Sequence, residues 1–211
     1  MLDAAVAALR TAYVQANPRS AERHELARRS MPGGSTRSTL YYEPFPLVFD
    51  HGQGAHLHSL DGRRYLDLLG DYTAGLYGHS HPVLVQALHA AIDEGVSFGG
   101  HNEREARFAA ELRRRFPALD LVRFTNSGTE ANLLALAAAR AHTSRATVVV
   151  FRGGYHGGVL TFAADKAPLN VPHRFRVCEY NDVDSVQAAI SETGDDLAAV
   201  LVEPMLGSGG C

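Results

Sequence analysis

Apolar residues recur at helical spacing over Leu2–Gln15 and Ala21–Arg29, and these stretches, separated by Asn17-Pro18, predict two surface helices. A loop of turn formers follows, Met31-Pro32-Gly33-Gly34-Ser35-Thr36. Between Pro46 and Leu69 the pattern changes to alternation, with turn signals at His51-Gly52 and Asp61-Gly62. It predicts a small antiparallel meander of Leu47–Asp50, Ala55–Ser59 and Arg64–Leu68. From Asp71 onward helices and strands alternate. Helices are expected at Pro82–Glu94 and Glu103–Phe116, a strand at Leu121–Thr125, a helix at Thr129–His142 and a strand at Thr147–Phe151. After a Gly-rich loop come a strand at Arg174–Glu179, a helix at Val183–Glu192 and a strand at Ala198–Val202. This grammar predicts an α/β fold with a mostly parallel sheet covered by helices. Residues 1–70 form an N-terminal segment of helices and meander, and residues 71–211 an incomplete large domain. The run from Glu203 to Cys211 follows a predicted strand and holds no covering helix, so the sequence reads as unfinished.

Composition narrows the function classes. The chain is 45% hydrophobic and 20% charged, which fits a globular protein rather than a disordered one. A formal charge of −3 supplies neither a basic field for nucleic acid nor a polybasic membrane anchor. No apolar run approaches the roughly 20 residues that span a bilayer. With an acid at position 3 and no apolar core after it, Met1-Leu2-Asp3-Ala4 is not expected to open a secretory leader. Two cysteines, Cys178 and Cys211, make no disulfide framework, so a cytoplasmic protein is expected. Lys166 is the only lysine.

Two loops carry candidate chemistry. Asn126-Ser127-Gly128-Thr129-Glu130-Ala131-Asn132 follows a predicted strand and opens a helix rich in Ala and Leu. Ser127 and Glu130 fit a capping box in which Glu130 reaches back to the Ser127 amide. The amides of Gly128 and Thr129, with the hydroxyls of Ser127 and Thr129, would meet where the helix dipole favours an anion such as phosphate. By spacing alone, the same residues equally describe a well-capped helix. The second loop, Phe151-Arg152-Gly153-Gly154-Tyr155-His156-Gly157-Gly158, follows another strand. Loops at the carboxyl ends of parallel strands share one rim, so both can face one ligand. Tyr155 can lie flat on a planar ring there, or fill a turn as a core side chain. His56-Leu57-His58 and His79-Ser80-His81 are spaced as ligand pairs, but no third ligand stands at a recognised distance, so no metal is expected. Cys178 lies inside a predicted strand and reads as a buried small side chain rather than a nucleophile.

Taken together, Asn126–Asn132, Gly154-Tyr155-His156-Gly157 and Val202-Glu203-Pro204 resemble the cofactor motifs of class III aminotransferases, fold type I enzymes dependent on pyridoxal 5′-phosphate (PLP). Asp61-Gly62 with Tyr65-Leu66-Asp67, and Gly78-His79-Ser80-His81-Pro82, are similar to the same family's N-terminal pattern. Met31-Pro32-Gly33-Gly34 and Thr125–Asn132 further resemble glutamate-1-semialdehyde aminomutases and β-amino-acid aminotransferases. The resemblance runs from about Met31 to Gly210. It implies that residues 71–211 belong to a PLP-binding large domain, with Ser127, Gly128 and Thr129 on the phosphate and Tyr155 on the pyridine ring. His156 would stand beside the ring, and Glu203 would brace the site from its strand end. Arg37 falls where such relatives clamp a substrate carboxylate, a task suited to a planar fork, although a solvated surface arginine reads the same way. Tyr72, with Tyr41, Tyr42 and Phe45, would line the substrate pocket or else pack the meander.

The resemblance also implies a Schiff-base lysine and an aspartate on the pyridine nitrogen, both beyond the Val-Glu-Pro strand, and neither has a counterpart here. Lys166 matches no family position, so no catalytic residue is assigned in this chain. The implied activity is amino-group transfer between an amino acid, including β- or ω-amino acids, and a keto acid or aldehyde. The resemblance implies a homodimer, and it implies that the stretch given is the N-terminal part of such an enzyme, expected to be inactive alone. A non-catalytic module that binds phosphate or PLP weakly, an aminomutase, and a racemase or decarboxylase on the same fold remain as alternatives.

Overall fold

The structure is a computed structural model that describes residues 1–163 and 169–207; Lys166 and Cys211 lie outside the described residues. Two compact units are present, Met1–His101 and Asn102–Cys211.

In the first unit, α1 (Leu2–Ala16) and α2 (Pro18–Arg28) meet at Asn17, whose side-chain nitrogen Nδ2 donates to the Tyr13 carbonyl at 2.8 Å. α2 begins three residues before the periodicity suggests, because Pro18 has its φ preset for a first helical turn and no N–H to leave unpaired there. Two of the orphan amides of α2, Arg19 and Ser20, donate to the Asp61 carboxylate at 2.8 and 3.2 Å. Phe45 is buried against Tyr13, with ring centroids 5.1 Å apart.

The meander comprises β1 (Phe49–Gln53), β2 (His56–Ser59) and β3 (Arg64–Leu66), antiparallel in that order. The turn expected at His51-Gly52 lies instead at Gly54-Ala55, where Gly54 adopts φ +55°. Gly52 is a glycine for another reason: a Cβ there would stand 2.5 Å from the His79 ring. Pro82–Glu94 forms α3.

In the second unit, α4 (Glu103–Arg115) precedes α5 (Gly128–Thr143), β4 (Thr147–Phe151), β5 (Arg174–Cys178), α6 (Val183–Thr193) and β6 (Leu197–Val200). The three strands are parallel in the order β5-β4-β6. β4 is central and buried on both faces, and the strand's two-residue period divides it between two cores. Val148 and Val150 pack with Leu136 of α5, Leu160 and Phe162, whereas Val149 and Phe151 pack with Cys178 and with Ala189 of α6. Cys178 is thus a core side chain.

The strand expected at Leu121–Thr125 is absent: the segment makes no ladder among the described residues. Strand-like composition becomes a strand only beside a partner that takes its amides. Phe124 instead stacks on Phe108 of α4, with centroids 5.1 Å apart and planes 7° from parallel.

Candidate functional site

α5 begins as a prepared helix terminus. Ser127 is extended, with φ −156° and ψ 160°, and its Oγ accepts the Glu130 amide at 3.1 Å. The reciprocal half of the expected capping box differs. Glu130 Oε2 takes the Asn126 amide at 2.8 Å and the Asn126 side-chain nitrogen at 3.2 Å, not the Ser127 amide. The amides of Ser127, Gly128 and Thr129 therefore have no partner among the described residues. A Cβ built on Gly128 would meet nothing within 4 Å. Ser127 and Thr129 each accept a hydrogen bond through the hydroxyl oxygen, which leaves both hydroxyl protons to donate. Three free amides, two hydroxyl protons and the positive end of a 16-residue helix converge on open space, a donor set that suits an anion with several oxygens.

The glycine-rich loop after β4 is closed against this turn. Thr129 Oγ1 accepts the Gly158 amide at 3.2 Å, and Asn132, one turn further along α5, donates from its side chain to the His156 carbonyl at 2.9 Å. Gly157, at φ +129°, passes so near Thr129 that a Cβ would lie 2.3 Å from the hydroxyl oxygen. Within the loop, His156 donates its amide to Leu160 O at 2.8 Å, and Phe162 donates to Gly154 O at 2.9 Å. Tyr155 is half exposed, and no aromatic ring packs on it among the described residues, so a planar group can lie there.

Glu203 fixes the loop from behind. Its Oε2 accepts the Tyr155 amide at 2.9 Å and its Oε1 the Gly207 amide at 3.2 Å, while Tyr180 donates its hydroxyl to the carbonyls of Glu203 and Pro204. His156 is buried, and its Nε2 has no hydrogen-bond partner among the described residues. Burial holds the imidazole below its ordinary pKa, and the neighbouring Glu203 carboxylate opposes that shift without reversing it. His156 is therefore neutral at pH 7.

The structure thus gathers Ser127, Gly128, Thr129, Tyr155, His156 and Glu203 in the second unit. Arg37 and Tyr72 lie in the first, where Arg37 Nη1 stands 3.4 Å from Asp71 Oδ1 and the Tyr72 hydroxyl donates to Thr39 O at 3.1 Å. Asn132 and Tyr180 had no role on sequence grounds. Asn132 was within reach, since position i+3 from Thr129 shares its helix face; Tyr180 left no local signal. Among the described residues no three metal-ligating side chains gather, and His58 stacks on His51 across the β1–β2 pair, with centroids 4.2 Å apart.

The family model for class III aminotransferases matches residues 39–211. The chain is similar to a β-phenylalanine transaminase of Variovorax paradoxus, 48% identical over all of this chain and 48% of that protein. It is also similar to a glutamate-1-semialdehyde 2,1-aminomutase of Heliobacterium modesticaldum, 36% identical over 87% of this chain and 46% of that protein. A crystal structure of the β-phenylalanine aminotransferase from Variovorax paradoxus superposes with a TM-score of 0.96 over all of this chain and 49% of that one. The chain spans about half the length of these relatives.

Proposed function

The chain belongs to the class III aminotransferase family, and from that premise we propose that the whole protein transfers an amino group from an amino acid to a keto acid or aldehyde, with PLP as cofactor. The unpartnered amides at the start of α5 carry this reading, since they match the several oxygens of a phosphate. Ser127, Gly128 and Thr129 would hold the phosphate, and Tyr155 would cover one face of the ring. Glu203 would keep Tyr155 in place through its backbone amide, and neutral His156 would stand behind the loop. When bound, PLP supplies a ring that withdraws electrons from the carbon bearing the amino group. The chain's own contribution is to anchor, orient and cover that ring.

The substrate proposed is a β-amino acid with one carboxylate and an apolar side group, of the kind named by the 48% identical relative. Arg37 would pair with the carboxylate and Tyr72 would contact the side group. We also propose a homodimer in the cytoplasm. Val83, Leu84, Val85, Leu88 and Ile92, all exposed on α3, support the assembly. No described helix is long and apolar enough to cross a membrane. The 36% identity to an aminomutase favours one second reading, in which the amino group moves within a single substrate. Incubating the whole protein and PLP with β-phenylalanine and a keto acid, and in parallel with glutamate 1-semialdehyde alone, separates the two. Amino-acid formation from the keto acid is expected, and isomerisation of glutamate 1-semialdehyde without such transfer would overturn the proposal.

A further inference from the structure

We propose that Asp71 is a positioning residue for Arg37, steadying the guanidinium through one N–H and leaving the others for a substrate carboxylate. The inference rests on the reading of Arg37 as the carboxylate clamp and adds to it a second residue that sets preference among amino donors.

The backbone supplies the first argument. Gly70, Asp71, Tyr72 and Thr73 run consecutively through the left-handed region, at φ +56°, +49°, +54° and +73°. Three of the four carry side chains that disfavour this conformation, and such a run persists only where its surroundings over-determine it. Here they do. Asp67 Oδ1 accepts the Leu69 and Gly70 amides at 3.0 and 2.9 Å, and Oδ2 meets His79 Nε2 at 2.8 Å. Gly75 donates to Gly70 O at 2.9 Å, and Ala74 to Asp71 O at 3.1 Å.

The second argument is where the strained residues reach. Asp71 and Tyr72 both contact the segment that carries Arg37: Asp71 meets its guanidinium, and the Tyr72 hydroxyl holds Thr39 O. From the other side, Ser35 Oγ accepts the Arg37 amide at 3.1 Å and donates to the Arg37 carbonyl at 3.0 Å. The base and the tip of Arg37 are thus both held, by elements more than 30 residues apart.

The third argument is chemical. An exposed single contact of 3.4 Å adds little to stability, so stability does not account for a strained aspartate. A guanidinium has five N–H donors, and Asp71 engages one. The rest of the fork is available for bidentate pairing, and part of its rotamer freedom is already removed before substrate arrives.

The test compares two donors on the whole protein with PLP: β-phenylalanine, and 1-phenylethylamine, which lacks the carboxylate. Asp71→Ala is expected to lower kcat/KM for β-phenylalanine by roughly two- to fivefold, mainly through KM, and to leave 1-phenylethylamine unchanged. Asp71→Asn, which keeps an acceptor, should recover part of the loss. Equal losses on both donors would make Asp71 merely structural and overturn the proposal. It is equally overturned if Asp71→Ala changes neither donor while Arg37→Ala selectively impairs β-phenylalanine. If Arg37→Ala itself fails to discriminate, the clamp reading falls, and the role of Asp71 falls with it.

Discussion

Thr129 and Gly157 stand so close that a Cβ on Gly157 would lie 2.3 Å from the Thr129 hydroxyl oxygen. The same hydroxyl accepts the next amide, that of Gly158, at 3.2 Å. The loop that presents Tyr155 and the helix start that would hold a phosphate are therefore one construction. Displacing either moves the other.

Gly157→Ala should separate them. The new methyl group meets Thr129 and occupies φ +129°, so the loop has to shift at a cost of about 1–3 kcal/mol. PLP titration of the whole protein should show binding weakened roughly tenfold or more. Gly158→Ala is the control: its Cβ meets nothing within 4 Å and should leave binding close to wild type.

Glu203→Gln tests the brace behind the loop. Two amides, Tyr155 and Gly207, each hold a separate carboxylate oxygen, and a glutamine offers one carbonyl oxygen for both. Hydrogen exchange at one of the two amides should quicken roughly five- to tenfold, as expected for a lost hydrogen bond. Unchanged protection at both would mean that Glu203 does not hold the loop.

Much of this architecture was legible in the sequence. The run Thr147–Phe151 is apolar without alternation because β4 is buried on both faces, and Ser127 announced its cap through the residue three places on. What the sequence hid depends on distant partners. Leu121–Thr125 has strand composition but no ladder among the described residues, and whether a neighbour takes its amides is not written in those five residues. Gly52 looked like a turn because glycine serves two purposes, and the His79 ring that makes it necessary lies 27 residues away. The Thr129–Gly158 and Glu203–Tyr155 contacts span 29 and 48 residues, beyond any local pattern.

His156 gives the site a pH dependence. Burial lowers its folded pKa beneath the ordinary value, so on acidification the unfolded chain takes up a proton first. Its contribution is intact above about pH 6.5 and is lost as pH falls from there toward the folded pKa. Between about pH 7.5 and 5.5, urea unfolding should show wild type losing more stability than His156→Gln. Parallel slopes for the two proteins would place the acid sensitivity elsewhere.

The central claim is that the start of α5 is an anion site, and Gly128→Asp tests it most directly. A side chain at Gly128 enters open space, and an acid in the first helical turn is favourable to the helix by about 0.3–1 kcal/mol. The fold should therefore be unharmed, with a melting temperature equal to or above wild type. The same carboxylate stands where a phosphate would meet the three free amides. PLP titration of the whole protein is predicted to show at least tenfold weaker binding in a variant that melts no lower than wild type. Undiminished PLP affinity in Gly128→Asp would contradict the account.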